Sequence, residues 1–215
     1  MSRFPNFSEI YHPHNTANVI SRPNFCSRSF KPLNARVLRD IYLRLYEELP
    51  WQPMNKIQTC WLTIGNCNCQ YRHSGRNFLA TVFTPCVQKL GEQIAGIVGH
   101  PKGFNSCNAN LYENGMHALG MHSDDEDLFG DIDEPKLIVS FSLGAARDFN
   151  IFVKKEDQTF SIKLINGEII TMEGLFQKEC THGVPAQPAV DGPRINLTYR
   201  KIVNHQPRCP CGEGV

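Results

Sequence analysis

The 215-residue chain has no long hydrophobic run: apolar stretches such as LIVSF are strand-sized, far short of the roughly 20 residues that a membrane-spanning helix needs. The opening MSRFPNFSEIYHPHN carries no apolar core of a secretory signal. Charge of one sign is not in excess, with 22 Lys and Arg against 21 Asp and Glu, so no bulk basic field announces a nucleic-acid partner and none excludes a local basic groove. Internal repeats and low-complexity tracts are absent. With 41% hydrophobic and 20% charged residues, disorder, collagen and coiled coil are excluded as the dominant state. What is present in quantity is cysteine. Nine cysteines, an odd number without a secretory signal, are expected as reduced thiols, which places the chain inside the cell, in nucleus or cytoplasm, off the membrane and monomeric.

Residues 1–32, rich in Asn, Pro, Ser and His without periodicity, read as an irregular N-terminal arm. Two helices follow. In NARVLRDIYLRLYEEL a stripe of Val37, Leu38, Ile41, Leu45 and Leu49 precedes Pro50, and from Pro85 to Val98 a face of Val87, Leu90, Ile94 and Ile97 lies between a Thr84 cap and Gly99. Between them, TCWLTIGNCNCQYRHSGRNF has the turn signals of an exposed β-ribbon, a lid over about 56–80. From 105 to 203 short strands succeed one another, with Asn166-Gly167 as a hairpin signal. Two helices and then many short strands predict an α+β domain over 33–203 with a double-sheet jelly roll as its core, followed by a tail at 204–215.

In GMHSDDEDLFG, His122 and Asp124 are separated by one residue, so extended backbone projects both to the same side, as two ligands of one metal require. His182, in ECTHGVP, is a candidate third ligand. Two histidines and a carboxylate suit ferrous iron with open positions for cosubstrate and dioxygen, and could equally hold zinc. The strand PRINLTYR adds a second constraint. Alternation puts Arg194, Asn196, Thr198 and Arg200 on one face and Ile195, Leu197 and Tyr199 on the other. Two arginines inside a core-type strand demand an anion such as a dicarboxylate, because burying an unpaired guanidinium costs several kcal/mol. CNANLY likewise aligns Asn108, Asn110 and Tyr112 on one face.

The ordered set NANLYENG, GMHSDDE, SFSLGAARDF, TMEG followed by THGVP, and RINLTYR resembles the AlkB-type iron(II)- and 2-oxoglutarate-dependent dioxygenases, especially the branch that repairs alkylated DNA or RNA. The resemblance implies a double-stranded β-helix, iron held by His122, Asp124 and His182, and 2-oxoglutarate held by Arg194 and Arg200 with Asn110, Tyr112 and Asn196. It also implies oxidation of an N-methyl group on a flipped base, releasing formaldehyde, succinate and CO2. Asp125 and Glu126 match positions that contact the base and its surroundings, and Arg147 lies beside the site. The lid region holds Trp61, Tyr71, Arg72, His73 and Arg76, aromatics interleaved with cations that suit stacking and phosphate contacts. Tyr71 and His73 are its candidate substrate residues. The expected partner is methylated DNA or RNA, single-stranded by preference because an unpaired base is extruded at lower cost.

Two C-x-C units, Cys67 with Cys69 and Cys209 with Cys211, offer a four-thiolate zinc pinning tail to lid, at a spacing shorter than the usual C-x-x-C. Three readings follow. One is a nucleobase demethylase; one is a 2-oxoglutarate dioxygenase acting on a protein side chain or small molecule. The third is a non-catalytic zinc-containing nucleic-acid-binding module.

Overall fold

The computed structural model describes residues 4–212 apart from Leu33 and Ser74; the outermost ends of the expected arm and tail, and half of the Ser74-Gly75 turn, lie outside the described residues. Two facing sheets form the body. In the large sheet the strands run in the order Tyr11–Ser21, Phe25–Pro32, Ile169–Gly174, Lys136–Gly144, Arg194–Arg200, Ser106–Tyr112, Ile57–Thr63 and Gln52–Met54, with Thr81–Val82 also paired to Ile57–Thr63. The small sheet has four strands in the order Gln158–Leu164, Arg147–Val153, Cys180–Val184 and Leu119–His122. This is the expected jelly roll. Among the described residues no helix is long and apolar enough to cross a membrane.

Helix Pro85–Val98 forms where expected. The Thr84 side chain accepts the Val87 N–H, Pro85 occupies the first turn, and Gly99 closes the end at φ 76°. Its buried stripe packs on the outer face of Arg194–Arg200, and Gly91 is the point of closest approach. A Cβ there would lie 2.9 Å from the Tyr199 ring, whose hydroxyl donates to the Val87 carbonyl at 2.8 Å. Ile195, Leu197 and Tyr199 thus belong to the helix-side core, and the alternate residues of the same strand turn toward the space between the sheets. The first helix is a 3-10 turn, Ala35–Leu38, continued by Arg39–Glu48. Leu38, Ile41, Leu45 and Leu49 are buried, whereas Val37 is exposed.

Three expectations are corrected. The N-terminal arm is not irregular. After a short helix, Phe7–Ile10, it forms the antiparallel pair Tyr11–Ser21 and Phe25–Pro32, and the second of these strands extends the large sheet along Ile169–Gly174. An Arg28–Glu173 ion pair at 2.6 Å and a hydrogen bond from the Tyr11 hydroxyl to the Gly167 carbonyl tie it down. The lid is smaller than 56–80: Ile57–Thr63 is an inner strand of the large sheet, Trp61 is buried, and only Tyr71–His73 paired with Arg76–Phe78 stands apart as a ribbon. Asn166-Gly167 does not close a hairpin. Its flanking strands lie in different sheets, so the turn carries the chain across, with Gly167 at φ 84° and the Asn166 side chain accepting the Gly144 N–H at 3.0 Å.

Candidate active site

Strand pairing brings the metal-ligand candidates together. Leu119–His122 runs antiparallel to Cys180–Val184 with His122 directly across from His182, and the extended backbone after His122 turns Asp124 to the same side. The strands approach closely here, since a Cβ on Gly183 would lie 2.8 Å from the Leu119 carbonyl oxygen. His122 Nε2 stands 3.6 Å from Asp124 Oδ1, and His182 Nε2 stands 4.0 Å from Asp124 Oδ2. One ligand atom from each residue lies within 4.8 Å of the other two. His122 Nδ1 is 2.9 Å from the Gly120 carbonyl; that nitrogen carries the proton and donates it, leaving a lone pair on Nε2 for a metal.

The electrostatics favour ligation. His182 is buried, and desolvation together with the nearby His122 pushes its pKa down to about 3, so the imidazole is neutral. Burial alone would raise the Asp124 carboxyl, but the Arg200 guanidinium holds it well below the usual carboxylate range. Arg200 holds this carboxylate by a hydrogen bond from Nε to Oδ2 at 3.0 Å and an ion-pair contact of Nη2 with Oδ1 at 2.7 Å, and the Gln177 side chain accepts the Asp124 N–H at 2.9 Å. The neutral His182 imidazole, the outward Nε2 of His122 and an oriented carboxylate fit a ferrous ion.

Arg194, Asn196, Thr198 and Arg200 line one cavity with Asn108, Asn110, Tyr112, Ser140, His122 and His182. The face read from alternation therefore does meet the ligand set. Arg194 and Arg200 differ in what they already hold. Arg194 Nη2 donates to Ser142 Oγ at 2.8 Å and Asn196 Oδ1 at 2.7 Å, and its guanidinium lies 5.1 Å from the Tyr112 ring centroid. Its Nε and Nη1 are buried without a partner, and among the described residues no carboxylate forms an ion pair with it. Such a cation is costly until an anion arrives, which fits a carboxylate of 2-oxoglutarate. Arg200, by contrast, commits Nε and Nη2 to Asp124 and keeps Nη1 unpartnered. Both arginines thus reach the cavity with donors to spare, Arg194 with two and Arg200 with one. Asn196 and Asn110 sit within side-chain networks with Ser140 and Thr198, and with Thr59 and Asn108.

Of the substrate candidates, the ribbon pair is well placed. Tyr71, itself buried, and His73 line the cavity, stacked at 5.8 Å, and the His73 ring meets His122 edge-on at 5.6 Å. Glu126 Oε1 is 4.0 Å from His73 Nδ1, and its other carboxylate oxygen is buried without a partner. Asp125 is exposed and lies in an outer groove with Gln70, Arg72 and Gln206. Arg147 lies beside the site without lining it: its guanidinium is 5.6 Å from the ring centroid of Tyr112, and it donates to the carbonyls of Asn114, Gly115, His117 and Pro185 and to the Gln187 side chain, which makes it an internal clamp. Met54, Phe149 and Met172 also line the cavity while belonging to the core between the sheets; in the sequence nothing distinguishes them from the other core residues of their strands.

The C-x-C pairing is corrected as well. Cys67, Cys69 and Cys209 converge with His205, whereas Cys211 is exposed and donates to the Asn66 side chain at 3.2 Å. His205 was missed because it stands outside the C-x-C units; its spacing to Cys209, H-x-x-x-C, was the available signal.

Comparison with known proteins gives the family. A family profile described as the 2OG-Fe(II) oxygenase superfamily matches residues 26–200. The human protein named DNA oxidative demethylase ALKBH2 is 29% identical over 150 residues, covering 66% of this chain and 55% of that one. The Bos taurus Alpha-ketoglutarate-dependent dioxygenase alkB homolog 3 is 36% identical over 127 residues, covering 55% of this chain and 43% of that one. The chain thus spans about half the length of these relatives. Among solved structures, OsALKBH1 superposes with a TM-score of 0.58 at 16% identity over 85% of this chain and 100% of that chain. A 2OG-Fe(II) family oxidoreductase from Burkholderia pseudomallei gives 0.52 at 14% identity over 90% of this chain and 87% of that chain. These two show a shared fold.

Proposed function

The chain belongs to the 2OG-Fe(II) oxygenase superfamily, and from that premise we propose that it oxidatively removes alkyl groups from ring nitrogens of nucleobases in DNA or RNA, single strands by preference. Its cofactors are Fe(II) and 2-oxoglutarate. The observation that carries the reading is the shared cavity: a buried arginine lacking an anion lines it together with the two histidines that cluster with Asp124 in metal-ligand geometry. The name of one relative, DNA oxidative demethylase ALKBH2, supports the substrate class.

In this reading His122, Asp124 and His182 would hold the iron, which with 2-oxoglutarate and dioxygen bound would supply the oxidant for an N-methyl C–H bond, 2-oxoglutarate being converted to succinate and CO2. Arg194 binds a carboxylate of 2-oxoglutarate through its unpartnered Nε and Nη1, with Tyr112, Asn110 and Asn196 shaping the polar wall. Arg200 fixes the rotamer and charge of Asp124. Tyr71 and His73 receive the extruded base. Glu126 behind His73 favours a methylated ring that carries positive charge over the neutral base. Water is kept from the inner wall by Phe149, Met172 and Leu119. The hydroxymethyl product on nitrogen then breaks its C–N bond, giving formaldehyde and the free base. The oxygenase domain includes the N-terminal hairpin, whose second strand extends its large sheet along Ile169–Gly174.

The test is incubation of the reduced protein with Fe(II) and 2-oxoglutarate against oligonucleotides bearing 1-methyladenine or 3-methylcytosine, as single strands and duplexes of DNA and RNA, and against a methylated peptide. Mass spectrometry should show loss of one methyl group from the oligonucleotides, with single strands processed at least as fast as duplexes. Oxidation of the peptide with every oligonucleotide untouched would assign the enzyme to proteins instead.

A further inference from the structure

Four side chains away from the cavity are arranged as a closed metal site. Cys67 and Cys69 stand in the loop between the inner strand Ile57–Thr63 and the ribbon, and His205 and Cys209 in the tail beyond Arg194–Arg200. The His205 Nδ1 atom lies 3.8 Å from Cys67 Sγ, 3.6 Å from Cys69 Sγ and 3.3 Å from Cys209 Sγ, and the Cys67 and Cys209 sulfurs are 3.7 Å apart. Tetrahedral zinc, with bonds of about 2.3 Å to sulfur and about 2.0–2.1 Å to nitrogen, sets sulfur–sulfur edges of about 3.8 Å and sulfur–nitrogen edges of about 3.6 Å. The observed separations scatter around those edges. A disulfide needs sulfurs at about 2.05 Å and would leave a third cysteine and the imidazole without a role.

The surroundings are those of a ligand shell. The Gln206 N–H points at Cys69 Sγ at 3.3 Å, the type of amide contact that stabilises a thiolate. Trp61 Nε1 donates to the Cys69 carbonyl at 2.8 Å and Thr63 Oγ1 to the Cys67 carbonyl at 2.7 Å, so both ligand-bearing turns are fixed from the core. Gln70 and Gln206 exchange two hydrogen bonds, at 2.8 and 2.9 Å, and align tail with loop. The three sulfurs are buried.

We propose that Cys67, Cys69, His205 and Cys209 bind one structural zinc ion that fastens the C-terminal tail to the root of the ribbon. Soft thiolates select zinc over the ferrous iron held by the histidine–carboxylate set, and four protein ligands leave no open position for chemistry. Cys69 is two residues from Tyr71, so the ion holds the strand that walls the cavity. The site stands independently of the substrate assigned to the enzyme.

The test is elemental analysis of protein purified under reducing conditions without a metal-affinity tag, in an Asp124→Ala background so that the iron ligands do not contribute. About one zinc per chain is expected, retained in Cys211→Ser and lost in Cys209→Ser and His205→Ala. His205→Cys, which supplies a fourth thiolate, should retain it and controls for variants that fail to fold. Cobalt(II) reconstitution of the unmutated chain should give thiolate-to-metal charge-transfer bands and intense tetrahedral d–d bands. Protein with neither zinc nor these bands after reconstitution, or loss of zinc in Cys211→Ser to the same extent as in Cys209→Ser, overturns the proposal.

Discussion

Arg194 and Arg200 stand on one strand face, yet the residue-scale account gives them different work. Arg194→Lys removes the planar fork with its free Nε and Nη1, and an ammonium cannot reproduce a two-donor contact. The KM for 2-oxoglutarate should rise roughly ten-fold or more, matching the about 1.5–3 kcal/mol of a charged hydrogen bond, with kcat less affected. Arg200→Gln instead leaves Asp124 buried without its guanidinium partner, so steady-state kinetics should be accompanied by a loss of stability of about 3–5 kcal/mol in denaturant titration. Equal KM effects with equal stability for both variants would remove the distinction. His182→Ala should abolish conversion of 2-oxoglutarate to succinate, because two remaining ligands neither retain nor orient the iron; an isotope-traced succinate assay at the unmutated rate would contradict that assignment.

At the scale of elements, the ribbon and the helix behind the arginine strand act on the site from opposite sides. Glu126→Ala should slow demethylation several-fold while leaving 2-oxoglutarate decay without substrate nearly intact, since its carboxylate lies against His73 and not the metal ligands; parallel assays of formaldehyde and succinate check this. Gly91→Val drives a branched side chain into the Tyr199 ring, and overpacking of this kind costs about 1–3 kcal/mol, read as a lowered Tm. Helix Pro85–Val98 was legible because cap, proline, apolar stripe and terminal glycine agree. The arginine strand was legible because a polar face is incongruous beside Ile195 and Leu197. The N-terminal hairpin was not: its edge strand YHPHNTANVIS is polar, holds a proline and has no alternation, as an outermost strand allows. The Asn166-Gly167 turn misled because local turn chemistry does not say which sheet the next strand joins.

For the whole molecule, acid is the natural stress on a site built this way. In the folded, metal-stripped chain His182 takes a proton only near pH 3, whereas in the unfolded chain it does so near its ordinary 6.5. The unfolded state therefore binds more protons between those values, and stability falls as pH drops through that window. Asp124, held below its ordinary 3.8, adds loss in the same direction at still lower pH. Thermal unfolding in chelator should show Tm declining steadily below about pH 6.5; a level or rising Tm would contradict a buried neutral His182. The central claim joins two parts of the chain, the His122–Asp124–His182 and Arg194 cavity and the ribbon that covers it, in one reaction on a nucleobase. Its most direct measurement is the ratio of formaldehyde to succinate released on a single-stranded 1-methyladenine oligonucleotide, with Asp124→Ala as control. The account expects about one formaldehyde per succinate and neither product from the variant; succinate without formaldehyde, at a rate indifferent to the oligonucleotide, would contradict it.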